Sequence, residues 1–352
     1  MPPAGDPIAE GERLMVICNA CRYCEGYCAV FPAIERRLRF NEADLNYLAN
    51  LCHNCAECYY SCQYAPPHEF SVNVPKVFAQ IRERSYRKYA WPGFMHVRAW
   101  WAVVAGVAVA VLLARAGSAA GANFYAVISH EAMVVTFAVI AAVVVLVHLV
   151  GFLRFWRESG ESLSRFFQPS SLLHAARDVL LLTNLDNNSA GCTYPDERHS
   201  QARRRFHHCT YYGFLLWLAS TTVAAAYHSI FGWVAPHAYL SIPVVLGTAG
   251  GIGLLIGPAG LYALKRRRDT AIVDIKQDSM DICFLALLFL SSLTGLLLLV
   301  LRETSAMGAL LRIHLGVVLG LFLTLPYGKF VHSIYRSAAL VRSALESSRS
   351  KD

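Results

Sequence analysis

A chain of 352 residues with 55% hydrophobic and only 16% charged residues is too apolar for an ordinary soluble protein of that length. The formal net charge of +8 does not imply a nucleic-acid partner, because the basic residues collect in the connectors between apolar segments and so report topology. Eight of the eleven cysteines fall in two short runs whose spacing a disulfide framework would not require.

The segment from Met1 to about Arg98 is polar, charged and cysteine-rich, and reads as a cytoplasmic domain over residues 1–98. Met1 to Arg13 shows no apolar core followed by a cleavage site, so no secretory signal is expected. The first run is Cys18-x2-Cys21-x2-Cys24-x3-Cys28 and the second is Cys52-x2-Cys55-x2-Cys58-x3-Cys62. Three thiolates at two-residue intervals let one tight loop wrap a cube-shaped cluster, while the fourth points away and completes its neighbour. The spacing therefore assigns Cys18, Cys21, Cys24 and Cys62 to one [4Fe–4S] cluster, and Cys52, Cys55, Cys58 and Cys28 to a second. Zinc ribbons also use cysteine pairs, but zinc has no use for a repeated run of four. The proline that usually follows the fourth cysteine is displaced to Pro32 and Pro66. Between the runs, Asn41 can cap a helix that carries Leu45, Leu48, Ala49 and Leu51. A helical spacer resembles the α-helical ferredoxin domain of succinate dehydrogenase and fumarate reductase iron–sulfur subunits.

Residues 99–352 alternate long apolar runs with short basic connectors. A hydrocarbon layer of about 30 Å needs roughly 20 helical residues. Six stretches qualify or nearly so: Ala99–Ala114, Ala132–Leu153, Tyr211–Phe231, Leu240–Leu264, Ile282–Leu301 and Leu310–Phe330. Trp100 and Trp101 would anchor the first, short one at the interface, and the fourth is rich in glycine, which suits close helix packing in lipid. The expected architecture is all-α: an α-helical ferredoxin-like domain followed by a six-helix transmembrane bundle. Between the second and third spans, Leu172, Leu173, Ala176, Val179, Leu180 and Thr183 share one face. Residues 170–184 thus read as an amphipathic helix, either lying along the inner surface or packed beneath the cytoplasmic domain. With six spans both termini share one side, which receives 29 of the 32 Lys and Arg residues; Arg115, Arg302 and Arg312 fall opposite. The positive-inside rule then makes this a multi-pass protein of the inner (cytoplasmic) membrane with both termini cytoplasmic.

Several of the thirteen histidines sit at span ends, where an ionisable group is a functional hypothesis by default. His314 and His332 are 18 residues apart. On one continuous helix that is five whole turns, placing them on one face about 27 Å apart, as two stacked haems require. The third span offers His228 at its outer end and His207 or His208 at its inner end; helical phase favours His207. The pairing read from this is His228 with His314 for an outer haem b and His207 or His208 with His332 for an inner one. His130 and His148, also 18 apart on the second span, compete by spacing, and a histidine-rich quinone site fits as well. Ala224, Ala225 and Ala226 before His228, and Gly316 and Gly320 after His314, would leave room for a porphyrin. Cys192, Cys209 and Cys283 receive no role.

Four stretches together carry a more specific resemblance: Cys18 to Pro32, Leu51 to Pro67, Arg203 to Tyr212 (RRRFHHCTYY) and His314 to Arg336. Over essentially its whole length the chain resembles the tricarballylate/citrate utilization protein B family. The resemblance implies an electron-transfer subunit. It would take electrons from the reduced flavin of an FAD-dependent tricarballylate dehydrogenase, through two [4Fe–4S] clusters and haem b, to the membrane quinone pool. No nucleotide or flavin fingerprint occurs, so the catalytic flavin belongs to another chain and this one is an oxidoreductase component without its own substrate site. The alternative is a redox-sensing membrane transporter or accessory protein for tricarboxylates. Transporters usually show inverted repeats and broken helices with mid-membrane polar groups, and no convincing repeat appears here. Heterodisulfide-reductase-like and glycerol-phosphate-dehydrogenase-like subunits are disfavoured, because the chain has no adjacent cysteine pair.

Overall fold

The computed structural model describes residues 5–93, 106–107, 124–186 and 191–349. The expected first span and its Trp100 and Trp101 anchors lie outside these residues, apart from Gly106 and Val107. The described chain is mostly helical. Helix α1 (Pro7–Cys21) starts where the Asp6 side chain accepts from the Ile8 N–H, with Pro7 in its first turn, and it stops at Arg22 in the left-handed region. Helix α2 covers Val30–Glu35. Helix α3 (Glu42–Leu51) is capped by Asn41, whose side chain accepts from the Asp44 N–H at 2.9 Å, as the spacer pattern predicted. Helix α4 is the short Glu57–Tyr60, and α5 (Val74–Tyr89) is capped by Asn73. Leu14 and Met15 from α1, Leu45 and Leu48 from α3, and Phe78 and Ile81 from α5 are buried together.

Helix α6 is Phe124–Val127 and α7 is His130–Glu158; α8 (Leu163–Phe166) and α9 (Pro169–Leu181) follow. A two-stranded antiparallel hairpin, Cys192–Thr193 with His199–Ser200, departs from the all-helical expectation. Four long helices complete most of the chain: α10 (Ala202–Phe231), α11 (Ile242–Arg267), α12 (Ile275–Val300) and α13 (Met307–Thr324). Among the described residues α7, α10, α11, α12 and α13 are long and apolar enough to cross a bilayer, which makes this a membrane protein. They fall on the second to sixth expected spans. Glycines bring α10 and α11 into backbone contact: a Cβ on Gly250 would lie 2.8 Å from the Gly213 carbonyl oxygen and from the Trp217 nitrogen. Gly106 is equally close to α13, where its Cβ would meet the Gly320 nitrogen at 2.8 Å. Neighbouring backbone thus fills the space that Gly316 and Gly320 were expected to leave for a porphyrin.

The sixth span differs from expectation in a second way. The helix ends at Thr324, and a turn over residues 325–330 separates it from α14 (Val331–Arg349). Pro326 has no N–H to continue the ladder, so the helix stops there although Leu325 itself keeps helical dihedrals (φ −51°, ψ −48°). His314 and His332 therefore stand on different helices, and the five-turn phase argument does not relate them.

Helix α14 leaves the bundle and enters the core of the cysteine-bearing helices. Its Val331, Tyr335, Ala338, Ala339, Leu340, Val341 and Leu345 are buried with α1, α3 and α5. Arg37 pairs with Asp44 at 2.8 Å and with Glu346 at 2.5 Å, and both Arg37 and Arg342 stack over the Tyr47 ring. Helix α9 packs on α14 through Ala175, Leu172 and Val179, leaving Leu173, Leu180 and Leu181 exposed. The two readings of this amphipathic helix both describe part of it: one side covers the core, and the other keeps an apolar strip outward.

Candidate iron–sulfur and histidine sites

The eight run cysteines line two neighbouring cavities. Cys18 and Cys21 stand on the last turn of α1; the chain then reverses through Arg22 (φ 55°) and Gly26 (φ 88°) to present Cys24 and Cys28. In the second run Cys52 caps α3, Asn54 (φ 58°) and Ala56 (φ 69°) turn the backbone around Cys55, and α4 carries Cys58 with Cys62 just beyond it. Cys18, Cys21, Cys24 and Cys62 surround one cavity of about 430 Å³, part of it open to solvent, with Cys58 on its wall. Cys28, Cys52, Cys55 and Cys58 surround a second of about 340 Å³. The structure thus gathers the fourth cysteine of each run with the first three of the other.

The donor chemistry fits two iron–sulfur cubes. All eleven cysteines are free thiols. Burial pushes the Cys18 thiol up to about 12, with Cys24, Cys62 and Cys21 adding like-charge repulsion. Burial does the same to Cys24, helped by Cys62, Cys21, Glu57 and Cys55. Thiols this crowded ionise together only beside a bound cation, which the irons of a cluster would supply. The Asn54 N–H donates to Cys52 Sγ at 3.3 Å, the kind of bond that steadies a cluster thiolate.

Three buried or half-buried arginines hold the second cavity's loop to the rest of the protein. Arg82 of α5 donates to the carbonyls of Ala49 (2.9 Å) and Cys52 (3.2 Å) and to Gln277 of α12. Arg203 of α10 donates to the carbonyls of His53 (2.8 Å) and Asn54 (2.7 Å). Arg336 of α14 donates to the Leu51 carbonyl at 2.5 Å. Every carbonyl named belongs to the stretch 49–54, so the loop is satisfied jointly by α5 of its own layer, by the membrane helix α10 and by the last helix α14. Glu57 fixes the hairpin to the same region: it accepts from the Thr193 N–H and hydroxyl and meets His199 Nε2 at 3.0 Å.

The histidines form an inner and an outer group. Within the inner group, His332 Nδ1 meets the Tyr86 hydroxyl of α5 at 2.9 Å. Burial, with Lys329, Arg82, Arg336 and His207 nearby, holds the His332 imidazole well below its usual range and therefore neutral. His207 lies inside α10, electrostatically coupled to His332, with its Nδ1 buried and unpartnered. His208 instead packs against Tyr212, close to the Leu180 and Leu181 carbonyls of α9, so the structure separates the two. His148 bonds the Val144 carbonyl through Nδ1 at 2.8 Å, while its Nε2 is buried without a partner.

In the outer group the rings of His130 and His228 stack at 3.6 Å, with Tyr125 beside both. His228 thus meets His130 and not the expected His314. His314 bonds the Thr294 hydroxyl through Nδ1 at 3.0 Å and faces a cavity of about 860 Å³. Gly247, Gly251, Ser291, Gly295 and Arg302 also line that cavity. The arginine clamp, Tyr86 and Thr294 were not found from sequence. Arg203 stands in a basic run that read as topology, and Tyr86 and Thr294 carry no local signal.

A ferredoxin-like layer of eight thiols joined to at least five apolar helices defines a membrane-bound iron–sulfur protein. Residues 11–88 match the family described as the Citrate utilization protein B Fer4-like domain, and residues 94–352 match Citrate utilization protein B. The chain is 47% identical to Citrate utilization protein B of Escherichia coli over 360 aligned residues, which cover 98% of this chain and 94% of that protein. It belongs to the Citrate utilization protein B family. No solved structure matches it.

Proposed function

We propose that this chain is the membrane electron-transfer subunit of a tricarboxylate-oxidising system. In this reading it accepts electrons from the reduced flavin of an FAD-dependent dehydrogenase, tricarballylate dehydrogenase by family resemblance, and delivers them to quinone. Cys18, Cys21, Cys24 and Cys62 would hold one [4Fe–4S] cluster, and Cys28, Cys52, Cys55 and Cys58 the other. When bound, these clusters and haem b supply one-electron carriers that a flavin–quinone relay needs. His207 and His332 are the proposed inner axial pair, whereas the His130 and His228 rings, stacked at 3.6 Å, leave no room for a haem between them. Both termini and residues 1–98 are placed on the cytoplasmic side of the inner membrane, with residues 99–352 as the haem and quinone domain.

The observation that supports this most is the contact between layers. The loop of the second cysteine run is bonded by Arg203 and Arg336; both lie in the electrostatic surroundings of His207, and Arg336 also in those of His332. These residues bridge the thiol-lined cavity and the inner histidines with packed protein, which excludes water and fixes distance. Tyr86 engages His332 Nδ1, which would leave the Nε2 lone pair as the ligand atom. On the outer side, Arg302 and Ser291 offer hydrogen-bond donors to a quinone carbonyl in the cavity that His314 also lines.

The test uses membranes holding the full chain together with the dehydrogenase. On adding tricarballylate, broad iron–sulfur absorption should bleach, and added quinone should restore it. Reduced dehydrogenase that leaves the absorption unchanged would contradict the proposal, and uptake of labelled tricarboxylate by vesicles holding this chain alone would favour the transporter reading.

A further inference from the structure

Cys192 lies outside both cysteine runs, yet the hairpin carries it against Cys55 of the second one. The Cys192 and Cys55 thiols and one His53 ring nitrogen all lie within 4.8 Å of one another. Cys192 is 2% exposed and His53 8% exposed, so water reaches neither side chain appreciably. Both ring nitrogens of His53 are buried without a hydrogen-bond partner. A neutral imidazole must donate one N–H, and a buried donor without an acceptor costs about 1–3 kcal/mol. The sulfur of Cys55 is the acceptor within reach. The Cys192 thiol donates to the Leu185 carbonyl at 3.6 Å, and rotation about its C–S bond would turn that weak S–H donor to Cys55 instead. The hairpin cannot drift away, because Glu57 grips Thr193 twice and His199 once.

We propose that His53 and Cys192 are positioning residues that donate hydrogen bonds to the Cys55 thiolate of the second cluster and raise its reduction potential above that of the first. The inference rests on the two-cluster reading given above. Reduction adds negative charge to a cluster and its thiolates, so donors aimed at a ligand sulfur favour the reduced form, most strongly in a dry environment. The residues lining the first cavity include neither a histidine nor a cysteine from outside the two runs. This asymmetry sets a downhill direction toward the cavity held by Arg203 and Arg336, nearer the membrane layer.

The test is a paramagnetic-resonance redox titration of the full chain in detergent, read beside its iron content. Cys192→Ala and His53→Leu should keep the iron of the unaltered protein. Both should lower the midpoint potential of one signal, the one that Cys52→Ser removes, and leave the other in place. Cys192→Ser, which keeps a donor, should fall between wild type and Cys192→Ala. Unchanged potentials with both clusters present would overturn this inference alone. Loss of about half the iron in both Cys192→Ala and Cys192→Ser would also overturn it, by making Cys192 a ligand. An iron-free wild-type protein would sink the two-cluster reading itself.

Discussion

Replacing Cys62 with serine is expected to abolish the same paramagnetic signal that Cys18→Ser abolishes, although Cys62 belongs to the other run. The geometry behind this is the crossing of the fourth cysteines: Cys62 shares its cavity with Cys18, Cys21 and Cys24, and Cys28 shares the other with Cys52 and Cys55. Each substitution should cost about half of the bound iron, since each cavity accommodates one cube, and quinone reduction should fall to background in all four variants. Cys28→Ser should in turn group with Cys52→Ser. If Cys62→Ser instead removed the signal lost in Cys52→Ser, each run would bind its own cluster, and the arrangement of the two cavities would have been misread. Cys58 lines both cavities, so it alone does not discriminate between the schemes.

The second large effect concerns His332. If His332 holds the inner haem as proposed, His332→Ala should remove a sharp b-haem absorption while the broad iron–sulfur absorption stays. The ring has one nitrogen fixed by the Tyr86 hydroxyl at 2.9 Å, and burial beside Lys329, Arg82 and Arg336 keeps it uncharged. A neutral imidazole with one orienting hydrogen bond is the form that binds iron through its other nitrogen. Tyr86→Phe keeps the packing and removes only that bond, so it should weaken haem retention by roughly 10–100-fold without eliminating it. His207→Ala should resemble His332→Ala, whereas His208→Ala, facing Tyr212 and α9, should leave the spectrum unchanged. A full b-haem spectrum in His332→Ala would exclude it as an axial ligand.

What could be read from residues alone was what short spacing encodes. The cysteine runs, the Asn41 cap of α3, the glycine-lined α10–α11 contact and five of the expected spans are local patterns of three to twenty residues, and each fell where periodicity put it. The phase argument preferred His207 to His208, and the two lie in different surroundings, His207 near His332 and His208 against Tyr212. It failed for His314 and His332 because Pro326 stands between them and ends the helix, a stop signal outweighed there by continuous hydrophobicity. Contacts between distant segments were out of reach. Arg203 meets Asn54 across 149 residues and Arg336 meets Leu51 across 285, and an arginine does not announce which carbonyl it will satisfy. For the same reason the C-terminal helix α14 could not be assigned to the core of the cysteine layer, since its apolar face names no partner.

The central claim is that eight thiolates hold two iron cubes against the membrane layer. The most direct measurement is iron and acid-labile sulfide on anaerobically purified full-length protein, with paramagnetic resonance after reduction. The account predicts about eight non-haem irons and eight acid-labile sulfides per chain and two interacting signals. Protein holding zinc in place of iron, or giving no signal when reduced, would contradict it.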